Sequence, residues 1–393
     1  MKKKIIILAL SAIVVFMLSA CISDLQATTD PGVPLSAQPP GQSAQTQTSE
    51  NDNSEVQAAE NDDSDVQAAA EPQYVTVTDF NGNAVTLRQN PTTVAIYDQG
   101  ILDMLYSVGF ESTGIERLII PSPDTMPDVL GWFRDDGGDI TIVNGGTLFY
   151  VDWDVLDLMV PELVILGARS FGMNAAGDRL SAEDNAQFRA DTEERYSDTS
   201  FIRLTINARD SDLINDMRNN AYALSQIFPA IGDALTEEID SIEREMAEIA
   251  LVAQASELRT VFVMMTTPTT FSVFLVDSRF DMIYEEFGFI PLDMDLTLWT
   301  DQHGFNAQSE FLLEQNPDVI FLLDRTEPDT GFGAATENFL NDPIIARTNA
   351  AINGHIYSGL PMGEWYTVVG GIQSTRRMIE DVNRFVDNWN AQQ

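Results

Sequence analysis

The sequence predicts an α/β protein of two similar lobes joined by one long, stiff helix. Three observations carry that reading. From Asp233 to Ala255 the apolar residues Leu235, Ile239, Ile242, Met246, Ile249 and Ala253 recur in alternating steps of four and three, one stripe along a helix. A short all-apolar strand lies on each side of it with the same punctuation: Val160-Pro161-Glu162-Leu163-Val164-Ile165-Leu166-Gly167-Ala168-Arg169 before, Asn316-Pro317-Asp318-Val319-Ile320-Phe321-Leu322-Leu323-Asp324-Arg325 after. Strands alternate with helical segments on both sides, the pattern of parallel α/β architecture. Asp233 is placed to cap the long helix, and Asp240 to pair with Arg244 one turn on.

Taken in order, Lys2-Lys3-Lys4, the apolar run from Ile5 to Phe16 and Leu18-Ser19-Ala20-Cys21 resemble a bacterial lipoprotein signal, with Cys21 lipidated after cleavage. Cys21 is the only cysteine, so no disulfide forms within the chain. From there to about Gln73 the chain is polar and acidic, lacks Lys and Arg, and contains a near-repeat (Asn51–Ala59, Asn61–Ala69). Such a stretch buries too little surface to offset its ordering entropy and reads as a tether. The expected layout is therefore signal 1–20, lipidated Cys21 and tether 21–73, first lobe 74–231, interlobe helix 232–256 and second lobe 257–393.

In the first lobe, Tyr74–Asp79 and Ala84–Leu87 alternate around Asn81-Gly82-Asn83 as a hairpin. Thr93–Tyr97 reads as a buried strand, Gly100–Val108 as a helix, Gly114 and Ile115 as the start of a strand, and Val151–Met159 as a helix feeding the Leu163–Leu166 strand. Ser170–Ser200 is polar, contains Arg179, Arg189 and Arg195 and shows no clear period; it reads as a lid or a solvated insertion. Asp210–Ile227 is a helix. The second lobe repeats the scheme: strands Arg259–Met265, Phe271–Val276, Val319–Leu323 and Gly354–Ser358; helices Met282–Phe287, Ser309–Glu314, Glu337–Leu340 and Asp342–Ala346. The closing helix, Gly370–Trp389, puts Ile372, Met378, Ile379, Val382 and Phe385 on its apolar side.

Composition narrows function. The chain has 21 basic residues against 61 acidic ones, a formal charge of −40, so a nucleic-acid partner is not expected. Only His303 and His355 are present, which excludes a three-histidine metal site. No Gly-x-Ser-x-Gly elbow, zinc spacing or Walker loop occurs, and an enzyme such as a lipid-anchored hydrolase is not expected. An adhesin would suit the acidic tether but not the α/β core. Against so acidic a background, clustered arginines are informative. Ligands of open α/β sheets lie beyond the carboxyl ends of strands. Arg169 and Arg325 fall just past two such ends, and Arg279 follows the Phe271–Val276 strand. The set predicts an anion site between the lobes, although each arginine alone has acids nearby, such as Asp277, Asp324 or Glu327.

Thr76-Val77-Thr78-Asp79 with Gly82, Pro91 and Val94, Gly146-Thr147-Leu148, the Pro161–Gly167 strand, Ser278-Arg279-Phe280, His303-Gly304, Pro317-Asp318, and Trp365-Tyr366 with Gly370-Gly371-Ile372-Gln373-Ser374 follow one another in an order that resembles iron-siderophore ABC-transporter binding proteins. Within these the catecholate (petrobactin-type) binding lipoproteins are the nearest subgroup. The resemblance implies a class III periplasmic-binding-protein-like fold of two Rossmann-like lobes on a rigid interlobe helix, no catalysis and no cofactor. It implies a monomer on the outer face of the cell membrane that hands a ferric siderophore to an ABC permease and its ATPase. Haem, cobalamin or another ferric chelate is the alternative ligand. By motif it assigns Arg169, Arg279 and Arg325 to the anion, and His303 and Tyr366 to open iron positions. Trp365, Tyr97, Tyr150 and Trp299 are candidate aromatic walls. Glu310 matches a permease-docking glutamate; on the other lobe Tyr150 stands where its partner is expected, and Asp152 is the substitute. A helical rod also implies little lobe movement, with Ser170–Ser200 the expected moving part.

Overall fold

The apolar runs build two separate sheets. The computed structural model describes residues 71–170, 172, 180–206, 212–294 and 304–390, which fall in one unit, Ala68–Gln393. Cys21, the expected leader and nearly all of the expected tether lie outside the described residues. A hairpin, β1 (Tyr74–Thr78) and β2 (Ala84–Arg88), leads in. Its turn is held by the Asp79 carboxylate, which accepts from the Asn81 and Asn83 amides at 2.9 and 2.7 Å.

The first sheet contains β3 (Thr93–Ile96), β4 (Arg117–Ile120), β5 (Thr141–Asn144), β6 (Leu163–Leu166) and β7 (Ser200–Arg203). All pairs are parallel, in the order β5-β4-β3-β6-β7. Its helices are α1 (Gln99–Ser107), α2 (Gly131–Asp135), α3 (Trp153–Met159), α4 (Ala182–Arg195) and α5 (Leu213–Ile227). Three expectations change here. β4 starts at Arg117 because a 3-10 turn over Phe110–Thr113 ends on Gly114 in the left-handed region. β5 and α2 were not expected at all. Part of the polar stretch after β6, read as without period, forms α4, a helix in the crossover that two neighbouring parallel strands require. The α4 end is pinned to α3, since Arg195 pairs with Asp157 and the Tyr196 hydroxyl donates to the same carboxylate.

The second sheet contains β8 (Arg259–Thr267), β9 (Thr270–Phe274), β10 (Ile290–Pro291), β11 (Phe305–Ala307), β12 (Val319–Asp324) and β13 (Ile356–Leu360). The order is β11-β9-β8-β12-β13, with β10 beside the start of β8. It is not wholly parallel: β9 runs back along β8 through a tight turn in which Thr267 Oγ1 accepts from the Thr269 and Thr270 amides. β11 is antiparallel to β9. The helices are α7 (Ser309–Gln315), α8 (Ala334–Leu340), α9 (Asn349–Asn353) and, past the sheet, α10 (Ile372–Asn390). The helix expected at Met282–Phe287 is only a 3-10 turn over Asp281–Ile283. The chain then passes the long helix so closely that a side chain at Gly288 would meet Ala250 at 2.8 Å.

That long helix is α6 (Gly232–Ala255), and its six stripe residues are its buried ones. It lies between α5 and α10. From α5, Arg218 reaches Asp240 and Glu243 at 2.7 and 2.6 Å. From α10, Arg376 reaches Glu238 and Glu245 at 2.5 and 2.8 Å. Asp240 is thus engaged across helices rather than with Arg244. Asp233 sits inside the first turn and does not cap; the cap position is Ile231. No helix among the described residues is long and apolar enough to cross a membrane.

Two buried carboxylates tie the halves of the fold to helix starts. Asp103 of α1 accepts the Ser374 and Gln373 amides of α10 at 2.8 and 3.3 Å. A side chain at Gly371 would lie 2.1 Å from Asp103 Oδ2, so this approach needs glycine. Reciprocally, Glu286, beyond the second sheet's 3-10 turn, accepts the Leu213 amide that starts α5. Burial pushes both acids up, Asp103 to about 6 and Glu286 to about 7, against the amide bonds that pull them down. A raised carboxyl pKa stabilises the fold fully below its unfolded pKa, and that contribution is lost as pH rises through the folded one. The melting temperature is therefore expected to fall between about pH 4 and pH 7.5. Asp103→Asn with Glu286→Gln should flatten the profile in thermal melts; an unchanged slope in the double variant would assign it to other groups.

Candidate functional site: guanidiniums around Tyr366

Successive strands are added to one side of β3 (β4, β5) and then to the other (β6, β7), so the order reverses between β3 and β6 and the carboxyl ends of those strands face a crevice. Past β3 come Tyr97, Asp98 and Gln99; past β6, Ala168 and Arg169; past β7, Thr205 and Ile206. All line one inner cavity of about 60 Å³. Asp98 organises this wall. Its buried carboxylate caps α1, accepting the Gly100 and Ile101 amides at 3.0 and 3.2 Å, and accepts the Thr205 hydroxyl at 3.0 Å. Thr205 in turn accepts the Ala168 amide at 3.2 Å, which fixes the loop carrying Arg169. Burial raises the Asp98 pKa, opposed by these hydrogen bonds and by the Arg169 charge. Gly167 allows the close packing: a Cβ there would lie 2.6 Å from Asp98 Oδ2 and 2.9 Å from the Tyr97 carbonyl oxygen.

The opposite wall comes from the second half of the chain. Tyr366 lies on a single π-helical turn, Gly363–Thr367, a distortion frequent at functional sites. Three guanidiniums gather on its ring: Arg279 4.2 Å from the centroid, Arg169 5.6 Å and Arg325 6.0 Å. Arg169 also crosses the cleft, donating to the Tyr366 and Thr367 carbonyl oxygens at 2.9 and 3.3 Å. Arg325 follows β12 as expected. Arg279 arrives by another route: β9 is antiparallel, so its end lies beside Phe262, while β12 ends beside Met265 on the same neighbour. The chain folds back at Asp277, whose φ of 57° is left-handed.

Among the described residues, none of the three arginines forms an ion pair. The nearest expected acid, Asp324, is engaged by Thr326 and Thr336, each through hydroxyl and amide. Burial, and then the charges of Arg169 and Arg325, lower the Arg279 pKa; Tyr366 opposes them.

Other expected site residues part from this cluster. Trp365 is fully buried in the core and donates its indole N–H to Asp381 at 2.8 Å, away from the cleft. Neighbours on a helical turn point in different directions, so Tyr366 faces the cleft and Trp365 does not. Tyr97 lines the cavity, but its hydroxyl donates to the Gly145 carbonyl at 2.8 Å. Tyr150 is outside the cavity lining. Asp152 caps α3 through the Asp154 and Val155 amides. Glu310 is exposed on the first turn of α7. His303 and Trp299 lie outside the described residues. No group of three His, Cys, Asp or Glu able to hold a metal occurs among the described residues. Asp98, Gln99 and Thr205 were not singled out from the sequence; a buried strand followed at once by Asp at a helix start was the available signal.

An outer cleft of about 580 Å³ continues from the inner cavity, sharing Gln99, Leu148 and Thr367 with it. This two-walled arrangement has counterparts. Residues 94–361, well over half of the chain, match the periplasmic binding protein family. This chain belongs to that family. Its members are solute-binding proteins that work outside the cytoplasm, not enzymes. The petrobactin-binding protein YclQ of Bacillus subtilis is 26% identical over 307 residues, 77% of this chain and 84% of YclQ. The ferric-anguibactin-binding protein FatB of Vibrio anguillarum is 27% identical over 163 residues, 42% of this chain and 46% of FatB. The YclQ crystal structure superposes with a TM-score of 0.63 at 23% identity, covering 80% of this chain and 99% of YclQ. That of the catecholate-siderophore binding protein VctP of Vibrio cholerae gives 0.64 at 23%, covering 79% and 100%. At these identities the superpositions speak to fold alone.

The packing at Gly167 is directly testable. Gly167→Ala is expected to cost about 1–3 kcal/mol, because the Tyr97 carbonyl cannot move aside without disturbing β3. Thermal melts should show a drop of several degrees; an unchanged melting temperature would mean the wall is softer than its distances imply.

Proposed function

We propose that this protein captures a ferric siderophore of catecholate type in the cleft and delivers it to an ABC importer permease. The single observation behind this is the set of three guanidiniums around Tyr366, none with an ion pair among the described residues, in a chain whose net charge is −40. A ferric tris-catecholate is a trianion with its charge spread over catechol oxygens and aromatic rings. Arginine matches both features, by several directed donors and by stacking on ring faces. The names of the sequence relatives, the petrobactin-binding YclQ and the ferric-anguibactin-binding FatB, support an iron-chelate ligand. A siderophore is larger than the inner cavity and belongs to the scale of the outer cleft. Its oxygens would replace the Tyr366 and Thr367 carbonyls as acceptors for Arg169. Where the chelator leaves iron positions open, Tyr366 and His303 are the candidates to fill them. Glu310, exposed on α7, is the candidate permease contact, and Cys21 the lipid anchor on the outer face of the membrane.

Tryptophan-quenching titrations test this. Ferric catecholates should bind more tightly than a neutral ferric hydroxamate, haem or cobalamin. Arg279→Ala and Arg325→Ala should each weaken the trianion about tenfold or more and the hydroxamate little. Equal losses for both ligands would count against recognition by charge; tight binding of haem or cobalamin alone would keep the fold and change the ligand. Because α6 is clamped by Arg218 and Arg376 on two sides, lobe movement should be small. Small-angle scattering should show nearly the same radius of gyration with and without ligand, and large compaction would refute the rod.

A further inference from the structure

One buried side-chain oxygen in the wall that carries Arg169 lacks a hydrogen-bond partner among the described residues. Gln99, the first residue of α1, is 7% exposed. Among the described residues its Nε2 meets the Met126 sulfur at 3.3 Å, a weak acceptor, and its Oε1 has no hydrogen-bond partner. Gln99 lines both the inner cavity and the outer cleft. Its neighbours on the wall are engaged: Tyr97 with Gly145, Asp98 with Thr205 and the α1 amides, Thr205 with Ala168. A buried carbonyl oxygen left bare is rare and costly. It also repels other acceptors, so a catecholate oxygen gains nothing by approaching it.

We propose that Gln99 is a specificity residue that accepts a hydrogen bond from a donor on the ligand's scaffold, an amide N–H in the linkage that carries the chelating rings. The inference rests on the anionic-chelate reading and adds a second criterion to it. Charge draws the chelating oxygens toward Arg169, Arg279 and Arg325. The bare acceptor turns the linker toward α1. A chelator with no donor in its linkage leaves that oxygen unsatisfied and binds less well at equal charge.

The test compares two ferric complexes of the same charge, made from the N-ethyl amide and the ethyl ester of protocatechuic acid. In both, the linkage lies away from the catechol oxygens, so the amide N–H is free. The protein should bind the amide complex about tenfold more tightly than the ester, the range of one hydrogen bond that would otherwise be missing. Gln99→Met, similar in length and without the carbonyl, should bring that preference to within about twofold of unity. Gln99→Glu keeps an acceptor but adds negative charge; it should weaken both complexes and retain the preference. Equal affinity for amide and ester in the unmodified protein, or a preference that survives Gln99→Met, would overturn the assignment. Failure of both complexes to bind the unmodified protein would overturn the anionic-chelate reading and this inference with it.

Discussion

Everything in the cleft depends on the seating of α6 between α5 and α10. The apolar stripe of α6 is wholly buried, and arginines from both neighbours grip its outer carboxylates at intervals along its length. Partly exposed ion pairs are each worth little. Here they sit over an already buried seam and set the rotation of the helices around it. Two carboxylates then fasten helix starts across the chain, Asp103 to α10 and Glu286 to α5. With those fixed, the ends of β3, β6 and β7 have a set position relative to the turn that bears Tyr366. The guanidiniums meet on one ring because the scaffold behind each wall cannot drift.

The electrostatics of the site run opposite to those of the chain. The chain carries a net charge of −40, whereas the inner cleft brings three guanidiniums onto one ring, and the carboxylates closest to them in sequence or space are engaged by other groups. Asp324 shows how: it lies next to Arg325 in sequence, yet two threonines occupy its oxygens. Asp98 lies near Arg169 but serves as a helix cap. Holding three like charges near one another in a partly buried place is unfavourable, and the lowered pKa of Arg279 reflects it. The aromatic face of Tyr366 offsets part of that cost. Under the proposed function, an incoming anion would offset more of it.

How much of this was legible in the sequence follows from what each element encodes. The stripe of α6 was, since its period maps directly onto buried residues. So was the β6 strand, whose bounds are those of its apolar run. α4 was not, because a helix that is polar all round carries no period. The direction of β9 was not either: a buried strand reads the same way forward and back, and only the short Pro268-Thr269 turn marked the reversal. Arg169, Arg279, Arg325 and Tyr366 were named together, yet the backbone route that brings Arg279 to the others was not foreseen. Trp365 was misplaced because adjacent residues on a turn diverge. Gln99 could not have been found, since a bare carbonyl is a property of the packed wall, not of the residue.

Beyond Lys4 the chain contains no lysine, and each cation that touches Tyr366 is an arginine. A guanidinium holds its proton far above the pH of ordinary surroundings. Titrating the medium over ordinary pH therefore leaves the charge of these guanidiniums in place. What can dissolve the cluster is distance: Arg169 hangs on one wall and its carbonyl acceptors on the other. A partner that parted the walls would take Arg169 from those acceptors and out of the cluster without neutralising it.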